Sequence, residues 1–316
     1  MVKVSIVVPT YNRRELLKEC LDSLFNQTYP KDEYEVIVVD DGSTDGTEEL
    51  LKEYAKNAPC TLKYFKQENR GPAAARNAGI KHAAGDIVCF LDDDCIADKN
   101  WIMNMVDKFN EDKVGGVGGK IIVTPSDHLI EPKIDQSGLI NTWSSLSGCN
   151  MAFKKDILDD INGFDPLFRF GAEDNDICIR VRLKGYTLKY APEAIVFLRH
   201  STTLGDLIKK QYNYGIGCSR LGKKYTDFPF KNLVFFITIK LMWNFTSLPV
   251  KVMLTRNRKC LVKELLNILQ VFAYLIGMIK GYLFENYPKE KVISAKLHFL
   301  GVRDKIKLLE RVKTKI

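Results

Sequence analysis

Val88-Cys89-Phe90-Leu91-Asp92-Asp93-Asp94-Cys95 is the stretch on which the fold of this 316-residue chain turns. Four apolar residues in a row read as a strand buried on both faces. Three carboxylates follow where that strand must emerge. In open α/β sheets, ligands gather beyond the carboxyl ends of the strands. Adjacent carboxylates repel one another unless a cation holds them. Hard oxygen donors suit Mg²⁺ or Mn²⁺, with waters and substrate phosphates completing the shell.

Upstream, strands and helices alternate. Residues 4–8 form a β-branched run that ends in Pro9-Thr10-Tyr11-Asn12. Apolar positions 16, 17, 20, 21, 24 and 25 mark an amphipathic helix over 13–27. A second strand, 35–39, exits through Asp40-Asp41-Gly42-Ser43-Thr44-Asp45 into a helix at 46–57, which this polar exit is suited to cap. A short strand at 61–65 follows, and Arg70-Gly71-Pro72 opens a small-residue helix. This alternation predicts a doubly wound sheet.

Downstream the pattern loosens. Residues 114–123 are glycine-rich and then β-branched, and 125–142 read as loop or short strands. Gly148-Cys149-Asn150-Met151-Ala152-Phe153 reads as a strand before a helix start. A helix is expected over 175–184 and a strand over 194–198, ending at Arg199-His200.

Composition sets limits. With 46% apolar residues the chain can bury a large core. Its eight cysteines form no CxxC pair, which argues against zinc and a disulfide framework and fits a reducing compartment. Met1-Val2-Lys3-Val4-Ser5 runs straight into the first strand, so no leader is expected. Residues 1–200 hold 25 Lys and Arg against 32 Asp and Glu, whereas 201–316 hold 22 against 7. A basic tail on an acidic body points to an anionic partner.

The ordered series Val-Val-Pro-Thr-Tyr-Asn (7–12), Val-Asp-Asp-Gly-Ser-Thr-Asp (39–45) and Asn-Arg-Gly…Ala-Arg-Asn (69–77) continues with Phe-Leu-Asp-Asp-Asp (90–94) and Gly-Cys-Asn-Met-Ala-Phe (148–153). Gly-Phe-Asp (163–165), Glu-Asp-Asn-Asp (173–176), Arg180, Gly185-Tyr186 and His200 complete it. The series resembles the inverting glycosyltransferases of family 2 over about residues 3–200. The resemblance implies a GT-A fold: an α/β, Rossmann-like, mostly parallel sheet flanked by helices. That domain is expected at 1–204, followed at 205–316 by a helical, basic, amphipathic appendage.

The resemblance also implies roles. A base needs a flat surface and an acceptor for its ring N–H, which Tyr11 and Asp40 or Asp41 meet beside Pro9. Arg70, Arg76 and Asp92 are further nucleotide candidates. Asp94, with Asp92 and His200, is expected to hold Mg²⁺ or Mn²⁺ on the diphosphate, while Asp93 points away. Asp174 is the expected general base, kept ionised at a helix N-terminus, and Glu173 is its alternate. Gly148, Asn150 and Trp143 are candidates for the acceptor side. Asp176 and Arg180, spaced i,i+4, read as a structural ion pair.

A UDP-sugar donor and a saccharide or lipid-linked acceptor are the expected partners. The segment Gln211-Tyr212-Asn213-Tyr214 lacks the Gln-x-x-Arg-Trp pattern of processive synthases, which argues for transfer of one sugar. Two rival readings are weaker. A sugar nucleotidylyltransferase needs a glycine-rich, basic triphosphate loop near the N-terminus, and Pro9-Thr10-Tyr11-Asn12 is not one. An inactive sugar-nucleotide binder does not need Asp92, Asp94 and Asp174 together.

Apolar stretches at 233–254 and 265–284 have membrane-spanning length. They carry lysines, and a hairpin would leave Arg256, Arg258 and Lys259 on the far side. Helices lying in the interface on the cytosolic face of the cell membrane are therefore expected, and no nucleic-acid partner.

Overall fold

The computed structural model describes residues 3–124, 128–130, 146–169, 171–199, 203–225, 258–284, 287 and 288. They fall into two compact units. The first comprises described residues within 3–169 and 173–199, the second those within 171–172 and 203–288.

The first unit opens with β1 (Val4–Thr10), α1 (Arg14–Phe25), β2 (Tyr34–Asp40), α2 (Thr47–Asn57), β3 (Thr61–Lys66), α3 (Pro72–His82) and β4 (Ile87–Leu91). Every residue of β1 and β2 is buried, as expected of central strands covered on both faces. Alternation along β1 explains how. Val4, Ile6 and Val8 join Leu17, Leu21, Leu24, Leu50 and Leu51 of α1 and α2 in one core. Val7, with Ile37 and Val39, joins Ala73 and Ile80 of α3 in the other. Each fully buried aliphatic side chain contributes about 1.5–3 kcal/mol, so these two layers supply most of the stabilisation.

The unit continues with β5 (Cys95–Ala97), α4 (Trp101–Val106), β6 (Val114–Thr124), β7 (His128–Ile130), β8 (Asn150–Lys154), α5 (Lys155–Asp160), α6 (Glu173–Leu183) and β9 (Thr187–Arg199). Among the described residues the sheet has nine strands in the order β3-β2-β1-β4-β8-β6-β9-β5, with β7 on β6. Strands β1 to β4 are mutually parallel, as the alternating sequence predicts. Beyond β4 the direction reverses: β8 is antiparallel to both β4 and β6, and β5 to β9, while β6 and β9 are parallel. The sheet is thus parallel in its first half and mixed in its second.

This arrangement makes the site. Register pairs Thr10 with Asp40 and Asp40 with Lys66. The loops after β1, β2, β3 and β4 therefore open along one rim. Leu91 pairs with Asn150, so β8 starts where β4 ends.

The second unit contains α7 (Leu204–Lys224) and α8 (Arg258–Phe284). Helix α7 starts in a capping box: Thr203 Oγ1 accepts from the Asp206 backbone N–H, and the Asp206 carboxylate accepts from the Thr203 backbone N–H. The apolar stretch at 233–254 lies outside the described residues.

Candidate active site

The acidic turn leaves β4 with alternating exposure. Asp92 and Asp94 are half-buried, while Asp93 between them is 4% exposed. Asp93 accepts hydrogen bonds from Thr10 Oγ1 at 2.8 Å and from Arg13 Nη1 at 3.0 Å. Burial pushes its carboxyl up to about 6, although Arg13 opposes that rise. Asp93 thus ties β4 to the end of β1, in keeping with its expected structural role. The same Arg13 Nη1 reaches Asp94 Oδ2 at 2.9 Å.

Arg13 is missed when the sequence is read by itself. The clue is positional. The β1–β4 pairing brings the residues just after β1 beside those just after β4, and Arg13 is the first cation there.

Arg76 on α3 links the two acidic segments. It is 3% exposed, donates to Asp92 Oδ1 at 2.7 Å through Nη2, and donates to Glu173 Oε1 at 3.0 Å through Nη1. Burial opposes its charge, but the two carboxylates overcome this and raise its pKa. Its neighbour is Gly148, where a Cβ would sit 3.1 Å from Arg76 Nη2. A side chain at 148 would make the guanidinium give by a few tenths of an ångström.

Asp174 completes the cluster at the start of α6. It accepts from the backbone N–H of Asn175 at 2.8 Å and from that of Gly148. A helix N-terminus alone holds a carboxylate ionised. Here desolvation, then the adjacent Glu173 charge, outweigh the helix, and the Asp174 carboxyl is pushed up to about 6. Asp174 thus stays ionised at neutral pH, as expected, with its pKa lifted into the range of a working base.

The chain of contacts Asp92–Arg76–Glu173, with Gly148 against both Arg76 and Asp174, brings the acidic turn and the candidate base together. Among the described residues no group of three or more His, Cys, Asp and Glu forms a ready metal cage. Asp92 and Asp94 supply hard oxygen donors, and these fit a divalent cation whose remaining ligands are phosphate and water.

Along the rim, Tyr11 is 47% exposed. Asp41 is committed to loop structure: it accepts from Gln67 Nε2 at 2.7 Å and from the backbone N–H groups of Arg70 and Gly71 at 2.9 and 2.8 Å. Asp40 Oδ1 accepts from the Ser43 N–H at 2.7 Å, while its buried Oδ2 has no hydrogen-bond partner and lies 3.9 Å from Lys66 Nζ. Pro9 is buried in β1, and the Arg70 side chain is exposed. Trp143 and His200 lie outside the described residues. Arg199, next to His200 in sequence, donates its backbone N–H to Asp94 O at 2.9 Å.

Asn150 requires a correction. Expected on the acceptor side, it is wholly buried. Its Oδ1 accepts from Trp101 Nε1 at 2.8 Å, and its Nδ2 donates to the carbonyls of Lys120 and Ala194 at 2.9 and 3.1 Å. Gly119 makes the space, since a Cβ there would meet Ala194 O at 2.1 Å. Asn150 is a polar tie between β6, β9 and α4. Asn150→Ala is expected to cost about 2–4 kcal/mol in chemical denaturation, because it strands a buried indole N–H and removes a donor from two carbonyls. Asp176, 0% exposed and 2.8 Å from Arg180 Nε, is the expected structural ion pair.

Comparison with known proteins gives the family and the fold. The model of Glycosyl transferase family 2 matches residues 5–171. Glycosyltransferase AglE of Haloferax volcanii is 32% identical over 221 residues, covering 68% of this chain and 72% of that one. Other relatives are longer, and this chain covers 51% and 62% of two of them. The mannosyltransferase PcManGT from Pyrobaculum calidifontis, solved with GDP-Man and Mn²⁺, has a similar fold: TM-score 0.67, 22% identity, 90% of this chain and 88% of that one. S. aureus TarS 1–349, solved with UDP-GlcNAc, gives a TM-score of 0.55 at 19% identity, covering 91% and 93%. The chain belongs to glycosyltransferase family 2. Its fold is that of the GT-A glycosyltransferases.

Proposed function

We propose that this glycosyltransferase moves a single sugar from a nucleotide-diphosphate donor, with a UDP-sugar favoured, to a saccharide or lipid-linked acceptor, with inversion at the anomeric carbon. The observation that carries the reading is the chain of contacts joining Asp92 through Arg76 to Glu173 and its neighbour Asp174. A hydroxyl of the acceptor gives its proton to Asp174 as its oxygen bonds to the anomeric carbon. The bond from that carbon to the diphosphate oxygen breaks on the opposite face. Arg76 holds Glu173 and Asp92 in place, and Glu173 in turn keeps the pKa of Asp174 high. Tyr11 offers its exposed ring to the base, with Asp40 buried behind it at the end of β2.

Asp94 and Asp92 would hold Mg²⁺ or Mn²⁺, with His200 as a further ligand. The cation supplies Lewis-acid neutralisation of the charge that develops on the departing nucleoside diphosphate. The solved relatives carrying GDP-Man with Mn²⁺ and UDP-GlcNAc support this donor class. Absence of the Gln-x-x-Arg-Trp pattern supports single transfer. The basic, apolar second unit supports work at the cytosolic face of a membrane.

Thermal unfolding tests the donor site. At a hundredfold excess over Kd, a ligand that binds only the native state stabilises it by about 2.7 kcal/mol, or roughly 5–10 °C for a domain of this size. A UDP-sugar with Mn²⁺ or Mg²⁺ is expected to give such a shift, and Asp94→Asn to lose its metal-dependent part. A flat response to every nucleotide sugar with either metal would overturn the proposal.

A further inference from the structure

Helices α7 and α8 approach closely through small residues, with Ile216, Leu221, Ile268 and Met278 also buried. On α8, Gly277 and Gly281 lie four apart, as do Gly215 and Ser219 on α7. A Cβ at Gly215 would meet Tyr274 O at 2.1 Å, and one at Gly277 would meet Tyr212 O at 1.9 Å. The backbones therefore touch. Ser219 Oγ donates to Met278 O at 2.6 Å, and Lys223 Nζ donates to Gly281 O at 3.1 Å. Close small-residue seams with hydroxyl-to-carbonyl bonds are the packing that helices adopt in lipid, where burying large apolar side chains between helices brings no advantage.

Most large apolar residues of α8 point the other way, Ile268 and Met278 excepted. Leu265, Leu269, Phe272, Ile276, Ile279 and Leu283 are all exposed, from 43% at Leu265 to 63% at Leu283. Their spacing of four, three, four, three and four places them within about 80° of one helix face. Leu265–Phe284 is also the one helix among the described residues long and apolar enough to cross a membrane. In water, such a face needs a cover.

Charge selects the cover. Helices α7 and α8 together carry nine Lys and Arg against two Asp and Glu. Lys280, Lys210 and Lys223 lie over the rings of Tyr212, Tyr214 and Tyr282 at 5.5, 5.8 and 5.5 Å. Apolar side chains flanked by Lys–Tyr pairs match the depth profile of a bilayer surface. A second copy would set like charges against each other, whereas anionic headgroups attract them.

We propose that the outward face of α8 inserts into the acyl region of a bilayer that carries anionic headgroups. The inference rests on the second unit alone and stands apart from the chemistry assigned to the first. The full chain should float with phosphatidylcholine vesicles containing phosphatidylglycerol, and at least about tenfold less with phosphatidylcholine alone. The double variant Phe272→Glu/Ile276→Glu should lose at least about tenfold in flotation while keeping its thermal response to nucleotide sugar and metal. Ile276→Trp, a milder change, should gain quenching by acyl-brominated lipid over the parent protein. Unchanged flotation of the double variant overturns the proposal. So does a lipid-free dimer that the double variant splits, if the parent protein does not float.

Discussion

Asp174→Asn is expected to lower kcat/KM for sugar transfer by about 10²–10⁴-fold and, at neutral pH, to raise the melting temperature by a few degrees. The two effects share a cause. Burial and the neighbouring Glu173 charge lift the Asp174 carboxyl from 3.8 to about 6 in the folded protein. Between the unfolded and folded values, the folded state takes up a proton that the unfolded state has lost. Ionised Asp174 therefore costs stability, fully above about pH 6 and not at all below about pH 4. Two pKa units set an upper bound of about 3 kcal/mol, and partial exposure reduces this to the order of 1–2 kcal/mol. Melting curves of the parent and the variant should converge as pH falls from 6 to 4. The parent's kcat/KM should climb with unit slope up to pH 6 and then level. A variant within tenfold of the parent would remove Asp174 from the role of base, and Glu173→Gln would then be the variant to lose activity.

Arg76→Met should be the most destabilising change at the site, by about 3–5 kcal/mol. The guanidinium is nearly inaccessible and stands between Asp92 and Glu173. Removing it leaves two carboxylates facing each other with no cation. Arg76→Met/Glu173→Gln should regain part of the loss, since one of the two stranded charges is gone. A double-mutant cycle from urea unfolding reads the coupling directly. If the two changes simply add, the bridge is not a bridge. Arg76→Met should also abolish donor-induced stabilisation, because Asp92 loses its anchor.

The sequence announces the centre of the parallel half because its strands carry apolar runs with polar exits. Residues 36–39 and 87–91 are examples, and both lie in strands, whereas β3 is a mixed Thr-Leu-Lys-Tyr-Phe-Lys. Other elements are harder to read. Strand β9 extends over Thr187–Arg199, well before the expected start at 194, because Pro192 and Glu193 interrupt its apolar pattern. Strand β5 has three residues, too few to show alternation. At the site, the types and order of Asp92, Asp94, Glu173 and Asp174 are visible, yet their connection through Arg76 joins residues 97 apart in the chain. Asn150 misleads because an amide in a glycine-flanked motif looks like a ligand contact. Only the pairing of β8 with its neighbours shows that it faces inward, toward Trp101. The raised pKa of Asp174 is likewise hidden from the sequence, since a helix start is local while desolvation is a property of the folded surroundings.

The reversal of strand direction next to β4 has a consequence for how this enzyme can diversify. The rim loops at 11–13, 41–46 and 67–71 hang from parallel strands with their own pair of helical layers, while 146–149 leads into the antiparallel set. The two groups of loops hang from different backbone supports, so each can be exchanged on its own. Chimeras that swap the first group should inherit a new nucleotide preference, and swaps in the second a new acceptor. In both, the shared carboxylates stay where they are.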